Sequence, residues 1–271
     1  MEEFTQDLLI DDIDREKGVY LPILTACENK KGVLDVDTVK GCELGMCAYS
    51  KGGCYGECYA LKVAKFYKLN FNVSVSRKIL PSKFQSLFNT IKNHNANWYR
   101  IGTFGDPCHD WENTIDVCER FRYTGKKPVI ITKHWKTLSD LQIERLQYVG
   151  AIINTSTSGL DTDEEIKYRV GQIKRLKKFK VRSICRVVTC NYGNTDFAKH
   201  CLEKQKYLLS IFPVIDNPLR VSKENERVLW GDIMIEKRKE AVGGGTSVSL
   251  HDDKVFLGHC SKCSDQCGYN G

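Results

Sequence analysis

The sequence predicts a parallel α/β protein, on three observations. Six short apolar runs alternate with segments of helical periodicity between residues 33 and 215, the pattern of repeated strand–helix units. Hydrophobic residues make up 41% and charged residues 28%, enough apolar surface for a core, which excludes a disordered chain. No stretch approaches the ~20 consecutive apolar residues of a membrane span.

The elements follow in order. Residues 1–30 predict an irregular lead-in. Residues 33–39 predict the first strand, and residues 59–69 a helix after a cysteine-bearing loop. Residues 83–92 carry Phe84, Leu87, Phe88 and Ile91 at i, i+3, i+4 and i+7, an amphipathic helix. Strands are predicted at 99–104, 128–132, 151–155, 181–188 and 208–215. Helices are predicted between them, at 111–123, 138–148, 161–178 and 195–206. The 161–178 helix has acidic residues in its first turn and basic ones in its last, which complements the helix dipole. An open doubly wound sheet and a partial barrel both accommodate six such units. No Gly-x-Gly-x-x-Gly follows the first strand, which speaks against a dinucleotide fold. The organisation expected is a lead-in (1–30), an α/β unit (31–216) and an irregular C-terminal extension (217–271).

The acidic N-terminus lacks the basic-then-apolar plan of a signal peptide, so a cytoplasmic location is expected. There, 13 cysteines point to metal or redox chemistry rather than disulfides. Cys27, Cys108, Cys118, Cys185, Cys190 and Cys201 are scattered, and most sit in apolar segments, as small buried hydrophobes. The others cluster. The first cluster reads Cys42-x4-Cys47-x6-Cys54-x3-Cys58. The Cys54/Cys58 pair would serve as one zinc knuckle, but Cys42/Cys47 is wide for another. One loop wrapping an iron–sulfur cube tolerates such spacing, and Gly45, Gly52, Gly53 and Gly56 let backbone approach it. Iron–sulfur, zinc and no metal all remain open on the residues alone. The loop follows the first strand, at the end where parallel barrels build their sites.

The run Cys47-x6-Cys54-x3-Cys58-Tyr59-Ala60 resembles a wide-spaced variant of the three-cysteine motif of the radical S-adenosylmethionine (SAM) superfamily, whose usual spacing is Cys-x3-Cys-x2-Cys. The likeness is to divergent, phage-associated radical-SAM-like proteins and, more distantly, to the spore photoproduct lyase type. It spans residues 33–215 and rests on this loop, on Gly105-Asp106-Pro107 after the second strand, and on the six strand–helix units. The resemblance implies a partial (β/α)6 TIM-like barrel over residues 31–216. It implies a [4Fe–4S] cluster held by Cys47, Cys54 and Cys58, with one iron open to the amino and carboxylate groups of SAM. Reductive cleavage of SAM would give a 5′-deoxyadenosyl radical that abstracts hydrogen from a substrate, with electrons from a flavodoxin or ferredoxin.

The resemblance also suggests SAM contacts. Gly105, Asp106 and Pro107 match the segment that receives the methionine ammonium group, with Asp106 in that role; Gly-Asp-Pro is also good turn chemistry. Ser156 and Ser158, in the hydroxyl-rich end of the fourth strand, would hydrogen-bond the ribose or a carboxylate. Arg186, inside an apolar strand, needs a partner, either the SAM carboxylate or an internal acid. No residue is singled out for catalysis on the substrate.

The second cluster, Cys260-x2-Cys263-x3-Cys267, is one ligand short of a closed site. Cys42, spare in the first loop, is expected to join Cys260, Cys263 and Cys267 around a second cluster; a zinc site completed by His259 or His251 is the alternative. Residues 166–182 hold eight Lys or Arg and no acid, and the net charge is +7. Both allow a nucleic-acid or nucleotide substrate, although one solvated helix face accounts for the run as well. Two other functions fit the same residues: a non-catalytic iron–sulfur or zinc protein binding nucleic acid or a protein, and a barrel enzyme that no longer cleaves SAM.

Overall fold

Period-two alternation along the β-runs gives each strand two faces, and these faces organise the molecule. The computed structural model describes residues 13–14, 16–49, 58–190, 192–221, 246–248 and 259–270. A hairpin of β1 (Ile13–Asp14) and β2 (Val19–Tyr20) precedes β3 (Cys27–Glu28), β4 (Leu34–Asp35), β5 (Val39–Lys40) and α1 (Glu43–Tyr49). Next come α2 (Tyr59–Phe66), β6 (Val75–Ser76) and α3 (Phe84–Asn93). The regular alternation follows: β7 (Trp98–Ile101), α4 (Trp111–Phe121), β8 (Lys127–Thr132), α5 (Asp140–Tyr148), β9 (Ile152–Ser158), α6 (Asp163–Lys178), β10 (Arg182–Thr189), α7 (Asp196–Leu209) and β11 (Val214–Val221). A last strand is β12 (Thr246–Val248).

The main sheet runs β12-β11-β10-β9-β8-β7-β4-β3. From β4 to β11 every pairing is parallel, and the two outer strands are antiparallel. The six parallel strands lie in chain order, so no switch point of a doubly wound sheet occurs among them. Right-handed crossovers that always step the same way leave the helices on one face. Tyr99, Ile101, Ile130 and Ile153 indeed pack with α3, α4 and α5, and Cys185 and Val187 with α6 and α7. On the opposite face, Trp98, Val129, Ile152 and Ile184 pack with Cys260, Cys267 and Tyr269 of the C-terminal segment. That segment covers apolar surface the helices leave bare. The fold is therefore mixed α/β with an open, mostly parallel sheet; among the described residues its edge strands do not pair, and a closed barrel is absent.

Several expected boundaries move. The lead-in contains the β1–β2 hairpin, and β3 pairs with β4. The first strand is broken. β4 stays in the main sheet, while β5 leaves to pair antiparallel with β6, because the Asp37 carboxylate between them is committed to a loop beyond β7. The run at residues 208–215 divides: α7 extends to Leu209, with Leu208 buried on its packed face, and the strand begins after Pro213. Proline cannot donate to a helix, so the change of element falls there. The strand continues to Val221, past the expected limit at 216.

The tail is seated closely. The N–H of Cys260 donates to the Lys31 carbonyl at 2.9 Å, and the Asn154 side chain donates to the Cys267 carbonyl at 3.0 Å. Gly268 has φ +87°, and a Cβ there would come within 2.7 Å of Ile184 Cγ1. Gly268→Ala is expected to loosen this contact, since a left-handed alanine costs about 1–2 kcal/mol before the clash is added. Hydrogen exchange should quicken at residues 259–270 and stay slow in β8 and β9; unchanged tail protection would contradict this seating.

Candidate functional site

A cavity of about 470 Å³ opens over the sheet face opposite the helices. Strand residues with period two line it: Arg100 from β7, Ile131 from β8, Ser156 and Ser158 from β9, Arg186 and Val188 from β10, Asn217 and Leu219 from β11. Arg186 and Ser156 are direct register partners on adjacent strands. Cys42, Cys58, Tyr59, Gly105 and Asp106 also contribute to the lining. The structure thus brings together Gly105, Asp106, Ser156, Ser158 and Arg186 with Cys58. Pro107 lies just behind, buried at the start of a short 3-10 turn.

Arg186 is half-buried. Its Nη2 donates to Asn217 Oδ1 at 2.9 Å, and its Nη1 lies 3.8 Å from the Cys267 sulfur. No carboxylate of a described residue pairs with it, so the internal acid that the sequence left open does not appear among them.

Two buried acids build the turn after β7. Asp37 Oδ1 accepts the N–H groups of Gly102 and Thr103, both at 2.8 Å, and Oδ2 accepts that of Phe104 at 3.0 Å. Burial, with Asp35 nearby, raises the pKa of Asp37, while these bonds pull the other way. Asp106 Oδ1 accepts from the Cys108 N–H and the Thr132 hydroxyl, and Oδ2 from the N–H groups of Lys133 and His134. Burial opposes ionisation of Asp106, but His134, the Thr132 hydroxyl and the backbone donors outweigh it and hold the carboxyl below its ordinary value. With four donors from the protein, Asp106 ties the β7 turn to the end of β8. Gly105 completes the turn: a Cβ there would stand 2.5 Å from the Val39 carbonyl oxygen, so only glycine fits.

The start of α2 docks on this turn. Tyr59 donates its hydroxyl to the Thr103 carbonyl, and its ring meets Phe104 edge-on at 5.8 Å. Cys58 is the residue preceding α2. Burial pushes its thiol up, and the N–H groups of Leu61 and Ala60 pull it down. Cys54 and the side chain of Cys47 lie outside the described residues. Cys42 packs in the apolar group that includes Cys58, and its sulfur accepts the Gly45 N–H at 3.3 Å.

Cys260 and Cys267 belong to the other group, below the cavity. Cys42 and the tail cysteines Cys260 and Cys267 are thus packed against different apolar groups. Burial raises the Cys260 thiol, Arg100 lowers it, and both Cys267 and Cys263 raise it, so the three tail thiols are electrostatic neighbours. Among the described residues no three His, Cys, Asp or Glu side chains are gathered as metal ligands. His251 is outside the described residues, and His259 Nδ1 contacts Ser261 Oγ at 2.8 Å. Of the scattered cysteines, Cys108, Cys118, Cys185, Cys190 and Cys201 are buried as expected, and Cys27 is partly exposed.

Sequence reasoning missed three polar groups. Asp37 is one; its signal was two acids, Asp35 and Asp37, at period two in an apolar run. Asp35 is the second, pairing with Arg100 at 2.8 Å and accepting the Thr103 hydroxyl. The third is buried Asp161, which pairs with Arg169 at 2.6 Å and Lys133 at 2.9 Å. Burial pushes Asp161 up to about 6 against the pull of Arg169, and burial brings His134 down to about 4, leaving that imidazole neutral at pH 7.

No protein-family model matches the chain, and neither a curated protein nor a solved structure matches it. Among the described residues no helix is long and apolar enough to cross a membrane. Part of the basic run on α6 serves the fold: Arg169 binds Asp161, Arg175 donates to the Leu138 carbonyl, and Lys177 to that of Phe212.

Proposed function

We propose that the chain is a radical-SAM-like iron–sulfur enzyme on a partial (β/α)6 barrel. The observation that carries this reading is Arg186, a guanidinium facing a cavity that also holds Cys58, with Ser156 beside it and no carboxylate partner among the described residues. A second observation supports the curled sheet. Asp35 on β4 and Asn217 on β11 line the same cavity. Laid flat, the six parallel strands would put these two residues about 24 Å apart, whereas both line one cavity. A curled sheet, with its two edges brought towards each other, would account for that.

The chemistry of the donor set fits the implied groups, and Cys58 is the one of the three loop cysteines described at the cavity. Cys47, Cys54 and Cys58 would hold a [4Fe–4S] cluster, and Arg186 with Ser156 would bind the SAM carboxylate. When bound, these groups supply an electron and a 5′-deoxyadenosyl radical that abstracts hydrogen from carbon. The chain's own residues do the positioning. Asp37 and Asp106 fix the turn at residues 102–106, and Tyr59 ties the start of α2, next to Cys58, to that turn. Asp106, with all its acceptor bonds made inside the protein, acts through the backbone it holds. A flavodoxin- or ferredoxin-class protein would supply the electron.

A second centre at the tail is a separate reading, favoured by the shared neighbourhood of Cys260, Cys263 and Cys267. Its fourth ligand would be Cys42 for a second iron–sulfur cluster, or His259 for zinc. Metal analysis tests both readings. Anaerobic protein is expected to hold about four irons with equivalent sulfide at the loop, and Cys58→Ala to lose them. Loss of zinc alone in Cys263→Ala would identify the tail centre. Stoichiometric zinc without sulfide in the wild type would overturn the enzyme and leave a zinc protein that binds nucleic acid or a partner.

A further inference from the structure

The turns that lead into the parallel strands lie together at one end of the main sheet. Trp98 pairs with Lys127, Val129 and Arg182 with Ile152, and Cys185 with Val214, all near the starts of their strands. Contacts join the turns directly. Lys126 Nζ donates to the His94 carbonyl at 2.7 Å, Arg122 to the Tyr148 hydroxyl, and Lys177 to the Phe212 carbonyl. The cavity is lined from the carboxyl halves of the same strands, so this surface is a separate place.

The surface is basic. Residues 92–97, 119–127, 146–151, 174–182 and 206–213 carry twelve Lys or Arg and one acid, Glu119. Glu119 is held by Arg145, and Glu28, which reaches the first of these turns, contacts His94. Arg120, Lys178 and Lys180 are exposed and enter no ion pair with a described residue. Cations at helix C-termini complement the helix dipoles, which accounts for part of this charge. It does not account for the rings that stand among them. Phe212 is 82% exposed, Tyr123 72% and Tyr148 66%. Arg122 holds the two tyrosines: its guanidinium donates to both hydroxyls and lies 4.2 and 4.7 Å from the ring centroids. Rings already fixed in place lose little freedom when a partner binds.

Separated cations suit an anion of repeated charge, and exposed rings suit flat groups that stack on them. A nucleic-acid strand with unpaired bases presents both, whereas a duplex hides its base faces. An anionic membrane fits less well, because the rings stand at three helix ends rather than along one apolar helix face. We infer that this end of the sheet is a binding surface for single-stranded nucleic acid, with phosphates on Arg120, Lys178 and Lys180 and bases against Tyr123, Tyr148 and Phe212. The inference goes beyond the proposed function and stands without it, since it uses no residue of the cavity.

The test is fluorescence anisotropy of the full chain with labelled single-stranded DNA and RNA of mixed sequence, long enough to cross three helix ends, and with the matched duplexes. At least one single strand is expected to bind about tenfold or more tightly than its duplex, and to weaken steeply as salt rises. Arg120→Glu/Lys178→Glu, which breaks no ion pair, should weaken binding about tenfold or more, and Arg120→Lys/Lys178→Arg should keep it. Tyr123→Ala and Phe212→Ala should each cost about fivefold or more. Arg186→Ala, in the cavity, should bind the strand as the wild type does. No binding of either strand, a charge reversal without effect, or duplex bound as tightly as single strand would overturn the inference. So would binding to phosphatidylserine vesicles with none to oligonucleotides, which would make the surface a membrane contact. Loss of binding in Arg186→Ala with none in the charge reversal would place the strand in the cavity and overturn it too.

Discussion

Arg186→Ala is expected to weaken SAM binding about a hundredfold while leaving the fold nearly as stable as before. The first half follows from charge-assisted hydrogen bonds, worth about 1.5–3 kcal/mol each in a partly dry site, the upper end of which is about a hundredfold. The second half follows from the partners of Arg186. They are an amide oxygen and a thiol, so its removal strands no buried carboxylate. Arg186→Lys keeps the charge but loses the fork that matches a carboxylate, and should fall between the two. Calorimetry on the anaerobic protein reads the affinity, and urea unfolding reads the stability. A large loss of stability with unchanged SAM affinity would make Arg186 a structural residue.

Asp37→Ala is expected to cost about 3 kcal/mol or more, a large part of the 5–15 kcal/mol that holds an ordinary domain. Its carboxylate satisfies three backbone donors of one turn, and alanine leaves them all without that acceptor. Asp37→Asn keeps an oxygen for Gly102 and Thr103 but turns an amide donor towards the Phe104 N–H, so a smaller loss is expected. The same turn anchors Tyr59, so iron retention should fall along with stability. A urea midpoint unchanged in Asp37→Ala would remove Asp37 from the account.

The repeated strand–helix plan was legible because periodicity reports on burial. Runs such as Pro128–Thr132 are buried and apolar, and α6 shows one apolar stripe with a Thr162/Glu165 capping box. The breaks in the plan were illegible for an equally physical reason. The run at residues 33–39 looks like one strand because valine and leucine alternate with Asp35 and Asp37. Nothing local shows that Asp37 is spent on backbone donors 65 or more residues away. The division at 208–215 was hidden because Leu208 serves a helix face and Ile215 a sheet face, and both are apolar.

The candidate site was partly legible. Gly105, Asp106, Ser156, Ser158 and Arg186 were chosen from separate strand ends, and they line one cavity. Asp106 was read as a ligand group, but a sequence cannot show that four protein donors converge on it. The place of Cys42 was likewise hidden. The Phe71 carbonyl accepts its N–H and its sulfur accepts the Gly45 N–H, contacts that cysteine spacing does not foretell.

The central claim is that a cluster at the Cys58 loop and a SAM molecule at Arg186 work in one cavity. The most direct measurement is conversion of SAM by the reduced, anaerobic protein, followed by quantifying 5′-deoxyadenosine and methionine. The account predicts both products in equal amounts from the wild type. It predicts none from Cys58→Ala, and products from Cys263→Ala at a rate near that of the wild type. Full iron and sulfide loading of the wild type with no 5′-deoxyadenosine formed would contradict it.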